Sequence, residues 1–142
     1  RDGAVQWRRD LGTLAAVHAM GDGDGDGEVE LYAVAADAVL RSFTASDGAD
    51  EWRTTLTTER VQMTPPPSLG DLDGDGHPEL VAGANDGTVS VVDPTSGRVL
   101  ATDRRDGPIW TNPRLADVNG DGVPEVFVVF GDGRVVCYDF VR

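Results

Sequence analysis

Apolar and polar residues alternate along this chain in short bursts, with turn chemistry between them. Thr88-Val89-Ser90-Val91-Val92-Asp93 repeats with a period of two, and Glu79-Leu80-Val81-Ala82-Gly83-Ala84 before it is a short apolar run. Asn85-Asp86-Gly87 between them is hairpin chemistry. A second turn, Pro94-Thr95-Ser96-Gly97, leads into a third strand over 98–102. Residues 109–115 supply the strand before the next unit. The same order recurs with strands at 126–130 and 134–140 around Gly131-Asp132-Gly133, and earlier at 29–35, 39–44 and 51–55, with a tight turn near Asp37. No segment sustains a period of 3.6 residues, so almost no helix is expected.

Ahead of each apolar run stands one nine-residue phrase. It reads Asp22-Gly23-Asp24-Gly25-Asp26-Gly27-Glu28-Val29-Glu30, then Asp71-Leu72-Asp73-Gly74-Asp75-Gly76-His77-Pro78-Glu79, then Asp117-Val118-Asn119-Gly120-Asp121-Gly122-Val123-Pro124-Glu125. The phrases start 49 and 46 residues apart, and their flanks repeat too: Pro67-Ser68-Leu69-Gly70 matches Pro113-Arg114-Leu115-Ala116. The repeat is therefore a whole structural unit. Four-stranded antiparallel units at this spacing predict an all-β fold of propeller blades, about three in this chain. The blades are assigned to 13–57, 58–105 and 106–142.

The phrase itself predicts a metal loop. Short oxygen donors at positions 1, 3, 5 and 9, on a loop kept tight by Gly at position 6, can wrap one hard cation. The donors are Asp22, Asp24, Asp26 and Glu30; Asp71, Asp73, Asp75 and Glu79; and Asp117, Asn119, Asp121 and Glu125. The backbone carbonyls of Glu28, His77 and Val123 at position 7 would complete each set, so the His77 imidazole need not touch metal. Calcium is the expected ion, about three per chain. An EF-hand would need a helix after the loop and a Glu at position 12. Pro78 and Pro124 disfavour the helix, and position 12 holds Ala33, Ala82 and Val128.

The Asp-x-Asp-x-Asp-Gly-x-x-Glu pattern resembles the FG-GAP or VCBS repeats, including the calcium loops of integrin alpha-chain propellers. That resemblance covers nearly the whole chain and implies a calcium loop between the first and second strands of each blade. The Phe-Gly and Gly-Ala-Pro signatures of the FG-GAP repeat are not evident, so the match rests on the loop and the spacing.

Composition narrows the function. The chain has 142 residues, is 39% hydrophobic and carries a formal charge of -13. That is enough apolar material for one domain's core, and such acidity argues against nucleic acid. Positions 1, 3, 5 and 9 hold 11 of the 25 acidic residues, and three divalent cations would bring the charge to -7. Cys137 stands alone, so no intramolecular disulfide is possible, and a small buried strand residue is expected there. No apolar run reaches the roughly 18 residues that span a membrane, and no signal peptide is visible. Loops of this kind fill best at the millimolar calcium outside cells, which points to a mature segment of a secreted or cell-surface protein.

The two ends are read together. Asp2-Gly3-Ala4-Val5-Gln6-Trp7-Arg8-Arg9 resembles Asp47-Gly48-Ala49-Asp50-Glu51-Trp52-Arg53-Thr54 in the outer strand of the first unit, while the third unit stops where its own outer strand should begin. Residues 1–12 are therefore expected to be an outer strand for an adjacent or last blade. Three blades are fewer than normally close a propeller. Two chains joining head to tail, each lending that strand to the other, would give a six-bladed homo-oligomer; the rival is a segment of a longer propeller.

Trp7 and Trp52 are expected to pack, Trp110 to line a channel or blade interface, with ligand stacking as its alternative role, and His18 to be structural. No nucleophile–base set, P-loop or dinucleotide fingerprint occurs. The expected function is a non-catalytic, calcium-stabilised module for protein or glycan recognition. The alternatives are a carbohydrate-active enzyme such as a lyase, an accessory lectin domain, and a purely architectural propeller segment.

Overall fold

The computed structural model describes residues 3–13, 15–61 and 64–140, apart from the side chains of Val17 and His18. The part assigned to His18 and the ends of the 1–12 and 106–142 assignments thus lie outside the described residues.

The alternating bursts form three antiparallel sheets and no helix among the described residues. Strands β1 (Ala16–Gly21), β2 (Glu30–Val34), β3 (Val39–Thr44) and β4 (Asp50–Thr55) pair in sequence order. So do β5 (Ser68–Gly70), β6 (Glu79–Gly83), β7 (Thr88–Val92) and β8 (Val99–Arg104). The third sheet holds β9 (Arg114–Ala116), β10 (Glu125–Val129) and β11 (Val135–Tyr138). Each is an up-and-down meander whose inner strand precedes the nine-residue loop. No helix is long and apolar enough to cross a membrane among the described residues.

The inner strands are shorter than the expected 109–115 because proline interrupts them. Pro113 has no N–H to give a ladder, so β9 starts at Arg114, and Ile109 makes only an isolated bridge to Phe130. Pro65, Pro66 and Pro67 delay β5 in the same way.

Adjacent sheets pack face to face through alternating side chains. Tyr32, Val34 and Leu40 of the first meet Leu80, Ala82 and Val92 of the second. The other face of the second sheet presents Val81, Val89 and Val91 to Val126, Val128 and Phe130 of the third. Strands β6 and β7 are thus buried at every position. Each fully buried side chain of this size is worth about 1.5–3 kcal/mol, so these two interfaces carry most of the stability.

Close approach at the inner strands depends on missing side chains. A Cβ on Gly21 would lie 2.9 Å from Leu69 Cδ2, and one on Gly70 would lie 2.7 Å from Leu115 Cδ1. Strands β5 and β9 therefore each lean a leucine over the last residue of the preceding blade's inner strand. Ala116 ends β9 at the matching position, and no described blade follows it.

A tryptophan fastens the outer corner of the first and of the second blade. Trp52 donates from Nε1 to the Pro94 carbonyl (2.7 Å), and its ring lies where a Cβ on Gly97 would be, 2.5 Å from Cε3. Trp7 repeats this one unit earlier, donating to the Ala45 carbonyl (2.9 Å) and covering Gly48. It also meets Phe43 edge-on at 5.9 Å.

Within the single chain residues 3–12 form no strand: they cross the corner of the first blade through Trp7 and the Arg9–Asp50 ion pair. One expectation is corrected. Cys137 is exposed, although its counterpart in the second blade, Val91, is only 4% accessible. Val91 is covered by the third sheet, whereas no described residue covers the far face of β11. Val118, Val129 and Val135 are exposed around it.

Two variants check this packing. Trp52→Ala should cost about 3 kcal/mol by the usual large-to-small penalty and lower the melting temperature. Trp7→Ala should lower it too, through loss of the bond to the Ala45 carbonyl and the contact with Phe43.

Asp86 gives a pH test. It accepts hydrogen bonds from the Thr57 hydroxyl (2.8 Å) and the Thr88 amide (3.0 Å). Burial pushes its pKa up, but those bonds and Arg104 outweigh burial and hold it below the ordinary 3.8. A lowered folded pKa stabilises above the unfolded value and ceases to as pH falls through the folded one. Asp86→Ala should therefore lower stability by about 1–2 kcal/mol at neutral pH. Denaturant titrations should show the gap from the parent protein narrowing below about pH 4.

Candidate metal centres

The three loops fold by the same hydrogen bonds. Each position 1 aspartate takes two loop amides: Asp22 from Gly25 and Gly27 (2.7 and 3.0 Å), Asp71 from Gly74 and Gly76 (2.7 and 2.9 Å), Asp117 from Gly120 and Gly122 (2.6 and 3.0 Å). The position 3 residues Asp24, Asp73 and Asn119 accept the position 5 amide. Asp26, Asp75 and Asp121 accept the amides of Glu28, His77 and Val123. The glycines at positions 4 and 6 all have φ between 75° and 93°, a conformation with no steric penalty only for Gly. Position 6 was legible as a turn; the equal demand at position 4 shows only in the backbone.

Position 9 opens the second strand of each sheet, so its carboxylate is buried. Glu30, Glu79 and Glu125 are 1%, 5% and 6% accessible. One oxygen of each accepts the position 2 amide, from Gly23 (2.8 Å), Leu72 (2.8 Å) and Val118 (2.9 Å). These bonds tie the loop to the sheet.

The loops diverge at the other oxygen. Glu30 Oε1 is buried without a hydrogen-bond partner, and oxygens of Asp22, Asp24 and Glu30 lie within 4.8 Å of one another. Oxygens of Asp71, Asp73 and Glu79 gather as closely. Burial raises the pKa of Glu30, helped by Asp24 and Glu51 and opposed by the Gly23 amide and the Tyr32 hydroxyl. Burial likewise raises Glu79, with Asp73, Asp75 and Asp71 adding to it against the Leu72 amide. A buried carboxylate beside two others calls for a counter-charge, and a hard divalent cation suits all-oxygen donors.

The structure thus brings positions 1, 3 and 9 together in loops 1 and 2. Asp26 and Asp75 at position 5 are outside these clusters, and Glu28, His77 and Val123 are held through their amides. In loop 3 the Asn119 Nδ2 donates to Glu125 Oε1 at 2.5 Å, where loops 1 and 2 offer a carboxylate oxygen.

Tyr32 was not singled out in the sequence. Its hydroxyl donates to Glu30 Oε2 at 3.3 Å, burial pushes its pKa up, and a Cβ on Gly23 would collide with that hydroxyl. Gly23, where the other loops carry Leu72 and Val118, was the available signal.

Trp110 joins none of the loops; it follows the Ile109 bridge, is 47% accessible and lies over Gly131. A cleft of about 560 Å³ does open beside loop 2, lined by Asp73, Glu79, Arg98, Leu100, Ala101 and Phe140. Ala101 stands where the first blade has Trp52, so no indole fills the space.

Comparison with known proteins agrees with this geometry. Residues 71–128 match the FG-GAP-like repeat. No curated protein matches the chain significantly. Among solved structures, the chain resembles BamB from Moraxella catarrhalis, at 17% identity and a TM-score of 0.56 over 78% of this chain and 29% of that one. The V. cholerae biofilm matrix protein Bap1 aligns at 18% identity and a TM-score of 0.65, over 80% of this chain and 20% of that one. BBS1N, in its complex with ARL6DN, aligns at 12% identity and a TM-score of 0.69, over 93% and 36%. At such identities the likeness establishes fold alone, and the chain spans about a fifth to a third of these structures. Residues 71–128 thus carry an FG-GAP-like repeat, and the three repeated antiparallel sheets share the fold of β-propeller proteins.

Proposed function

We propose that the loops hold calcium and that the stabilised blades form a non-catalytic binding or adhesion module of a secreted or cell-surface protein. The observation that carries this is the partnerless buried Glu30 Oε1 beside Asp22 and Asp24. In this reading Asp22, Asp24 and Glu30 hold one ion, and Asp71, Asp73 and Glu79 a second. Asp117, Asn119 and Glu125 provide a third site, with the position 5 carboxylates and position 7 carbonyls joining as the loops adjust. The bound cation supplies positive charge to the position 9 carboxylates. The protein's own part is to hold the oxygens on a loop anchored to the sheet.

Binding only to the folded state stabilises by mass action, so calcium would couple blade integrity to the surroundings. The glycan or protein ligand would then meet a rigid scaffold, at loops on its rim or in the cleft beside loop 2. Extracellular calcium concentrations suit loops of this class. The repeat match and the fold shared with a biofilm matrix protein fit an extracellular module.

Assembly is a second part of the proposal. Val89 and Val91 in the second blade are 3% and 4% accessible beneath the third sheet, whereas the matching Val135 is 63% accessible. A second copy placed head to tail would cover this apolar face and the open edge of β11.

Chelation should lower the melting temperature of the calcium-loaded protein, and a triple Glu30→Gln, Glu79→Gln, Glu125→Gln variant should lose that sensitivity. An unchanged melting temperature with chelator contradicts the metal reading.

A polysaccharide panel scored for both retention and cleavage separates a binding module from an enzyme; turnover would overturn the non-catalytic assignment. For assembly, light scattering should give twice the 15.0 kDa chain mass. A folded monomer would refute the paired arrangement.

A further inference from the structure

The third loop differs from the other two in one atom that faces the position 9 carboxylate. Asn119 Oδ1 accepts the Asp121 amide at 2.9 Å, which fixes how the side-chain amide is turned: the reverse orientation would set two donors against each other. Its Nδ2 therefore points inward and donates to Glu125 Oε1 at 2.5 Å. The other Glu125 oxygen accepts the Val118 amide at 2.9 Å. Both oxygens of this buried carboxylate are satisfied by the protein. In loop 1 the corresponding Glu30 oxygen has no partner, and Asp24 presents an oxygen to the same space.

Building on the calcium reading, we infer that the loops fill in a fixed order, with loop 3 last, because Asn119 acts as an internal substitute for the cation at Glu125. Two physical differences act in the same direction. Loop 3 has three carboxylates at its donor positions where loops 1 and 2 have four, and affinity in oxygen-ligand loops follows ligand charge. A cation there must also displace a charge-assisted hydrogen bond. Giving up such a bond corresponds to roughly tenfold to hundredfold in affinity. Loop 3 also borders the exposed face of the third blade, where its position 2 residue Val118 is 64% accessible against 1% for Leu72 in loop 2. The late-filling loop therefore sits at the open end of the structure. The early ones sit where sheets pack.

The test is a calcium titration of the full chain by calorimetry, with native mass spectrometry to count ions at each free calcium concentration. The parent protein should take up two ions first and a third at roughly tenfold or more higher calcium. Asn119→Asp removes the internal donor and adds a charge, so its third ion should enter in the range of the first two. Glu125→Gln should abolish the late step and leave the early two. Should Glu125→Gln fail to fold, the Asn119→Asp shift decides alone. Three equivalent ions in the parent protein, or loss of an early step in Glu125→Gln, would overturn the order. Absence of any bound ion in the parent protein and in Asn119→Asp would overturn the calcium reading itself, and the order with it.

Discussion

Everything in this fold depends on a carboxylate placed where a sheet would ordinarily put an apolar residue. Glu30, Glu79 and Glu125 each open the second strand of a sheet and are buried there. An ionised group taken out of water needs compensation. Each accepts an amide from position 2 of its own loop, which bends the loop back onto the sheet and fixes the hairpin between inner and second strands. The remaining oxygen determines the chemistry. It is partnerless in loop 1 and satisfied by an asparagine in loop 3.

Blade stacking then follows from two kinds of close approach. Toward the centre, Gly21 and Gly70 admit Leu69 and Leu115 from the next inner strand. Toward the rim, Gly48 and Gly97 admit Trp7 and Trp52 from the preceding unit. Large side chains thus set the spacing of neighbouring blades at both radii, and the alternating valines and leucines fill what lies between. Such an array contacts only its nearest neighbours, so stability accumulates interface by interface and the end surfaces differ from the interior. Among the described residues Cys137 and Val135 are accessible because no further sheet covers them.

The repeat made most of this legible. Three phrases in register, with hairpin turns after each apolar run, gave the sheet count, the strand order within each sheet and the position of the loops. What stayed hidden depended on neighbours or on single atoms. Cys137 reads as a core residue because β11 repeats β7, but burial needs a covering sheet as well as a strand. Residues 3–12 copy the sequence of β4 without its partner strand, and only the tryptophan contact carries over. The expected strand over 109–115 shrank to β9 because Pro113 has no donor for the ladder. The Asn119 substitution was visible in sequence as a third-position variant. That its amide would meet Glu125 required coordinates.

These elements describe a scaffold whose rigidity comes from packing and whose first loop leaves one buried carboxylate oxygen without a partner. Recognition of an outside partner would use that scaffold without needing a reaction at the loops. The most direct measurement of the central claim is an anomalous diffraction map of crystals soaked in a lanthanide that replaces calcium. Peaks at about 2.3–2.6 Å from the Glu30 and Glu79 carboxylates are predicted. Ordered loops with no peak beside either glutamate would contradict it.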